Sequence, residues 1–229
     1  MSSITVKERE IVIPGDVLAE GMDYLPGNNT YREQEKVFSK VLGLVSVSGR
    51  VLKVTALAGP YIPKAGDKII GRVKDILISG WRMYTATAYS AVMNVRDATD
   101  RFIKKEEDLS QVLGIGEYVV MQITNVTSQN LIDVTMKGPG LRKITQGRVI
   151  QINSHKVPRV IGKKGSMITL LKNYTGCNIT VGQNGLVWIS GESAEKEYLA
   201  EQAIKRIEAK SHEEGLTEKM ETFLKEHKK

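Results

Sequence analysis

Two glycines enclose two lysines at Gly162, Lys163, Lys164 and Gly165, inside the stretch VPRVIGKKGSMI that runs from Val157 to Ile168. Without a Cβ at either glycine, a sugar-phosphate backbone can come close to the main chain. The run SMITLLKNYTG that follows has helical spacing, so a helix starting at Ser166 would turn unpaired N–H groups and its positive dipole end towards the loop. Lys163 and Lys164 add compact positive charges where phosphates would lie, and Lys156 and Arg159 stand just upstream. These residue types at this spacing favour a clamp on a single-stranded polyanion. Its bases would run over an adjoining apolar groove near Val160, Ile161 and the strand beginning at Ile179. The plainer alternative is a tight turn between two helices that carries surface lysines. A Walker nucleotide loop is excluded, because no glycine stands five residues before a Gly-Lys-Ser/Thr.

The formal net charge of +7 is concentrated around this loop. Met1 to Asp133 holds 16 basic and 16 acidic residues, and Glu192 to Lys229 holds 8 basic and 10 acidic. Between Val134 and Gly191 there are nine basic residues and no acidic one. A one-signed field of this kind draws nucleic acid or anionic lipid. A surface built only for solubility would interleave the signs.

Catalytic chemistry finds little support elsewhere. One cysteine and three scattered histidines, His155, His212 and His227, cannot assemble a metal site at the usual spacing, so neither metal nor cofactor is expected. Asp97 and Asp100 are the nearest carboxylate pair, but they lie beside Arg96 and Arg101 and read as ion-paired. Cys177 has no histidine partner and reads as a buried structural thiol. No nucleophile, base or ligand set emerges, so the chain is expected not to be an enzyme and any nuclease activity to belong to a partner. Hydrophobic residues make up 41% and charged residues 26%, the balance of a soluble globular protein. No apolar run approaches a membrane span, the start MSSITVKEREIVIPGD lacks the features of a signal peptide, and a single cysteine suits a reducing compartment. A cytoplasmic protein with no membrane partner is the expectation.

The elements that must position the loop follow from periodicity. At 229 residues the chain is long enough for two or three small domains. EIVIPGDVL and YIPKAGDKIIGRV use the same punctuation, Pro then Gly-Asp then an apolar run, to launch strands. KVFSKVLGLVSVSGRVLKVTAL reads as an antiparallel meander. A boundary is expected between Gly59 and Pro63. Five strand candidates follow, DKIIGRVKDIL, WRMYTAT, SAVMNV, EYVVMQITNVT and LIDVTMK, the number an OB-type barrel requires. Trp81, Arg82, Tyr84, Arg96 and Arg101 are that barrel's candidates to stack on and neutralise a single strand, with burial of Trp81 and Tyr84 as the alternative. The last third reads strand, helix, helix, strand, strand, helix, with Ile168, Leu171 and Tyr174 or Thr175 on the second helix's buried face, GQNG as a hairpin turn and Ser193 as a helix cap. LTEKMETFLKEHKK is one more amphipathic helix.

VIGKKGSMI, from Val160 to Ile168, resembles the V-I-G-x-x-G-x-x-I signature of KH domains, and the element order resembles the type I arrangement. IVIPGDVLAEG, YIPKAGDKIIGRVKDI with SGW soon after, and VIGKKG occur in an order that resembles, over essentially the whole chain, the RNA-binding cap subunits of the archaeal exosome, the ribosomal RNA-processing protein 4 family. That resemblance implies a multidomain chain: an all-β N-terminal domain (1–62) docking on a ring, an OB-fold S1 β-barrel (63–143), an α+β type I KH domain (144–211) and a C-terminal helix (212–229). It also implies three copies on a hexameric ring of RNase PH-like subunits, guiding single-stranded RNA inward for 3′ to 5′ phosphorolysis. The implied KH contacts are Gly162, Lys163, Lys164, Gly165, Arg159, Lys156 and Ile161. Where S1 repeats elsewhere carry phenylalanine and histidine, this barrel has WRMYTA and VRDA. Two other readings remain beside it: a structural subunit whose KH surface contacts protein, and a free RNA-binding regulator.

Overall fold

In the computed structural model, which describes residues 3–99, 101, 107–213 and 215–226, the chain forms two compact units, Met1–Pro60 and Tyr61–Lys229. Asp100 and His227 lie outside the described residues. Among the described residues no helix is long and apolar enough to cross a membrane.

The first unit is all β. Its strands are β1 (Ser3–Ile4), β2 (Ile11–Val12), β3 (Val17–Glu20), β4 (Leu25–Pro26), β5 (Thr30–Glu33), β6 (Lys36–Ser39), β7 (Gly43–Ser48) and β8 (Val51–Ala56). They form two four-stranded sheets, ordered β1-β3-β6-β5 and β2-β7-β8-β4, around Leu18, Ala19, Val37, Val45, Leu52 and Val54. The expected single meander is therefore divided: β6 belongs to one sheet, while β7 and β8 form a hairpin in the other. The chain bends at Ser39, whose hydroxyl donates to the Val41 carbonyl at 2.8 Å. The two Gly-Asp launches do form matching turns. Asp16 N–H donates to Ile13 O at 3.2 Å and Asp67 N–H to Lys64 O at 3.1 Å, with Gly15 and Gly66 at φ 93° and 92° in the position that favours glycine.

The second unit opens with β9 (Lys68–Leu77), β10 (Gly80–Tyr84), β11 (Ser90–Asn94), a short helix α1 (Val95–Ala98), β12 (Tyr118–Val126), β13 (Ile132–Thr135) and β14 (Arg142–Ile144). Strand β13 pairs parallel with β11 and antiparallel with β12, which closes five strands into a barrel in the order β9-β10-β11-β13-β12. This is the closed OB-type topology expected from the five strand candidates. Strand β14 adds to the outer edge of β12. Alternation puts Ile69, Val73, Trp81, Met83, Met93, Val119, Met121 and Ile123 inside. Gly71 serves that interior: a Cβ there would collide with the end of the Met121 side chain and sit 3.0 Å from Tyr84 O.

The rest of the unit runs β15 (Arg148–Gln151), α2 (Val157–Ile161), α3 (Ser166–Thr175), β16 (Asn178–Val181), β17 (Leu186–Ser190), α4 (Ala194–Ala209) and α5 (Leu216–Glu226). The three strands form an antiparallel sheet ordered β15-β17-β16, and the helices pack on it, the arrangement of a type I KH domain. Met167, Leu171 and Thr175 are the buried residues of α3, with Ile168 and Tyr174 half-buried. Ser193 Oγ caps α4 by accepting from Lys196 N–H, and Gly176, at φ 69°, ends α3. Helix α5 buries Leu216, Met220 and Leu224 in the same core.

The barrel and this sheet share a smaller apolar cluster of Ile70, Val120, Leu186 and Trp188. At its centre Asn184, 3% exposed, donates through Nδ2 to the carbonyls of Ile70 and Thr85, each at 2.7 Å, and accepts from Ile70 N–H at 3.3 Å. Arg142 lies 4.7 Å over the Trp188 ring.

Candidate nucleic-acid interface

The loop is set by what precedes and follows it. Pro158 in the first turn of α2 supplies a φ already suited to helix, and Asn153, whose side chain accepts from His155 N–H at 2.9 Å, starts the turn before it. Glu208 of α4 accepts from Asn153 N–H at 2.6 Å and ties that entry to the domain. Helix α2 ends where Gly162, φ 76°, donates to Pro158 O at 2.9 Å. Residues 163–165 make one tight turn, closed by Gly165 N–H to Gly162 O at 3.2 Å, and α3 starts at Ser166.

Lys164 takes φ 55° and ψ 26°, a left-handed conformation that costs a non-glycine residue roughly 1–3 kcal/mol and persists only when its surroundings impose it. The glycines on either side of it have different surroundings. At Gly162 a Cβ would lie 2.7 Å from Met167 N and 2.9 Å from Ser166 Oγ, so the start of α3 itself occupies the missing side chain's place. Gly165, φ 81°, would bring a Cβ no nearer to any neighbour than 3.8 Å, so only its far side is open to an incoming backbone. Close approach to the main chain is therefore available at one of the two glycines.

Eight of the nine basic residues of the acid-free stretch divide into two groups. Arg142 stacks on Trp188, Lys143 pairs with Glu117 at 2.6 Å, and Arg148 pairs with Glu201 at 2.9 Å and Glu197 at 3.5 Å. Hydrogen bonds from Lys205 and Arg148 hold the Glu201 carboxyl below the usual carboxylate range. These three cations are engaged by partners within the fold. Among the described residues, Lys156, Arg159, Lys163, Lys164 and Lys172 have no ion pair, and Arg159, Lys163, Lys164 and Lys172 are exposed. Ile161 is partly buried beside them. Val160 and Ile179 are enclosed in the core, so the apolar surface next to the loop is not theirs; Ile161 and Ile168 retain partial exposure.

The barrel candidates separate as well. Trp81 is fully buried and its Nε1–H donates to Leu113 O at 2.9 Å, which removes it from the stacking set: Trp81 and Met83 of β10 face in, Arg82 and Tyr84 out. Arg82 and Tyr84 are exposed, as is Arg96 on α1. Arg101 pairs with Glu107, and the expected pairing with Asp100 falls outside the described residues. Asp97 uses its carbonyl, accepting from Thr135 Oγ1 at 3.0 Å and Met136 N–H at 2.7 Å. Cys177 is buried, and that burial pushes its thiol pKa up. Among the described residues no group of three or more His, Cys, Asp or Glu could hold a metal ion. Two residues carry no local signal of their role: Asn184, which reads in sequence only as part of a hairpin, and Arg72, exposed opposite Tyr84 on β9.

Comparison with known proteins is consistent over the whole length. Residues 9–58 match the model of the exosome RNA binding protein RRP4 N-terminal domain, and residues 147–209 match that of the KH domain. The chain is 40% identical over 227 residues to the exosome complex component Rrp4 of Thermococcus kodakarensis, covering 98% of this chain and 88% of the relative. With the component of the same name from Methanothermus fervidus it shares 38% over 219 residues, 96% of each. A crystal structure of a protein designated an exosome complex RNA-binding protein superposes with a TM-score of 0.68 at 32% identity, covering 73% of this chain and 97% of that one.

Proposed function

The chain belongs to the archaeal Rrp4 family of exosome components, and from that membership we propose that it is a non-catalytic cap subunit that binds single-stranded RNA and guides it into a ring of RNase PH-like subunits for 3′ to 5′ degradation. Residues 1–62 dock on the ring, 63–143 form the S1 barrel, 144–211 the KH domain, and 212–229 a helix that completes it. Three copies serve one ring. The phosphate clamp is Gly165 with Lys163, Lys164, Arg159 and Lys156, with Gly162 shaping the turn and Ile161 supporting the first base. The observation that carries this reading is the concentration of ion-pair-free cations around the start of α3. Phosphate neutralisation needs cations that the protein has not already engaged.

The test replaces Lys163 and Lys164 by alanine and measures binding to single-stranded RNA as a function of salt. Binding should weaken, and the slope of log K against log salt should become shallower by roughly 0.7 for each phosphate no longer neutralised. An unchanged slope with impaired assembly on ring subunits would instead make the KH surface a protein contact. Capture from native extract should bring RNase PH-like subunits with the chain after RNase treatment; a chain that carries only transcripts would be a free regulator.

A further inference from the structure

The joint between the barrel and the KH sheet is built on a chemically labile pair. Asn184-Gly185 is the single Asn-Gly pair of the chain, and its surroundings call for each member. Gly185 has φ 85°, and a Cβ there would run into Ile152 O and lie 3.2 Å from Ser154 N. Its carbonyl accepts from Ile152 N–H at 2.8 Å. At Asn184 the barrel presents two carbonyls, Ile70 O and Thr85 O, and one donor, Ile70 N–H. A primary amide answers all three, since it offers two donors and an acceptor together.

An asparagine followed by glycine is also a reactant. The Gly185 nitrogen can close a five-membered ring on Asn184 Cγ, so its attack is intramolecular, and the missing Cβ leaves that nitrogen unshielded. The closed seam withholds both groups. Gly185 N–H donates to Gly182 O at 3.0 Å. The carboxamide is held by its bonds to barrel backbone at 2.7, 2.7 and 3.3 Å, and it lies so close to Gly182 that a Cβ there would be 2.5 Å from Asn184 Oδ1. At 3% exposure the side chain is shut off from the water that the reaction consumes. Separating the barrel from the sheet frees the carboxamide and wets the turn in one event.

We propose that Asn184 is a self-modification site gated by this joint: opening of the seam lets the Gly185 nitrogen close on Asn184 Cγ, and the product keeps the seam from closing as before. The site stands independently of the RNA-binding reading. Hydroxide takes the Gly185 N–H proton, an N–Cγ bond forms, the Cγ–Nδ2 bond breaks, and Nδ2 takes a proton from water and leaves as ammonia. Water then opens the cyclic imide at either carbonyl. One opening gives aspartate, the other isoaspartate, whose main chain runs through Cβ and Cγ. Aspartate turns carboxylate oxygens towards Ile70 O and Thr85 O, where both N–H donors had been. A carboxylate has no proton to give those carbonyls, and burying it without a donor is unfavourable. Isoaspartate lengthens the main chain inside the turn that joins β16 and β17. The joint thereby keeps a one-way record of its own opening.

The experiment incubates the full chain at mildly alkaline pH in a series of urea concentrations below and above its unfolding midpoint. Mass spectrometry follows conversion of Asn184 in its own peptide, beside amide hydrogen exchange of residues 186–190. Conversion should rise in step with that exchange and level off once the chain is unfolded, because each rate is the open-state rate multiplied by the fraction open. Ile70→Val trims the apolar cluster but leaves the backbone groups that Asn184 holds. At a given urea concentration below the midpoint it should convert roughly 2- to 12-fold faster than the parent, and at the parent's rate when both are unfolded. Asn184→Asp, which stands for one product, should speed exchange of residues 186–190 by roughly 5- to 150-fold. Conversion in the folded parent at the unfolded rate, or in Ile70→Val at the parent's rate despite faster exchange, would show that the joint is no gate. Parent-like exchange in Asn184→Asp would show that the product leaves the seam as it was, and would overturn the one-way record.

Discussion

A methyl group added at Gly162 would sit 2.7 Å from the amide nitrogen of Met167, whereas one added at Gly165 would meet only Ile168 Cγ2, at 3.8 Å. Both positions have positive φ, which costs an alanine about 1–2 kcal/mol. Only the first adds a collision with backbone, and forcing atoms into a packed place costs about 1–3 kcal/mol more. Gly162→Ala should therefore lower stability by about 2–5 kcal/mol and Gly165→Ala by about 1–2 kcal/mol, as read from urea unfolding. In RNA binding the order should reverse once each variant is compared under conditions where it is folded, because Gly165 has the open side. Equal losses in both measurements would mean that the two glycines share one role. The pair was legible as a pair from its spacing, but their difference was not, because it depends on where the first turn of α3 passes.

At the scale of elements, α5 shows how far periodicity reaches. Leu216, Met220, Phe223 and Leu224 recur at helical spacing, and three of them are buried in the KH core. Helix α5 also reaches α3 directly: Tyr174 donates to Glu221 Oε1 at 3.0 Å, and Arg206 of α4 lies 4.6 Å over the Phe223 ring. The loop helix is thus braced from behind by an element that lies beyond residues 147–209, the span matched to the KH model. Leu224→Ala should cost about 2–5 kcal/mol, the range for a fully enclosed leucine, and chemical denaturation measures it. A cost below about 1 kcal/mol would mean that α5 is peripheral to the core. Strands were legible through the Gly-Asp turns and the alternation of β9 and β10. Two features were not. Trp81 and Tyr84 are both aromatic in one strand, and only the closure of the barrel decides which face is interior. Asn184 meets partners 114 and 99 residues away, and no local pattern in GQNG carries that information.

For the molecule as a whole, Asn184 is the polar link between the barrel and the KH sheet of the second unit. Its side chain satisfies two carbonyls and one N–H of the barrel within a closed seam, and Gln183 N–H adds a bond to Lys68 O at 2.9 Å. Buried backbone groups left without partners cost about 1–3 kcal/mol each, so the barrel and the KH sheet gain by staying together. If that coupling holds, amides in β12 of the barrel and β17 of the KH sheet should exchange hydrogen through the same opening, with matching free energies, in the full chain. Asn184→Ala removes the bonds from one side and leaves the carbonyls of Ile70 and Thr85 without them. It should lower overall stability by about 2–4 kcal/mol and separate the two exchange free energies, with each half opening alone. Hydrogen exchange read by mass spectrometry on peptides spanning 118–126 and 186–190 measures both quantities. Coincident exchange in the variant would show that the apolar cluster of Ile70, Val120, Leu186 and Trp188 suffices to join the halves. Divergent exchange in the parent chain would show that they were never one cooperative body. A joined pair matters for the proposed activity, because a strand that touched both the α3 loop and the barrel would gain from two contacts kept at a fixed spacing, and a loose joint would forfeit part of that gain.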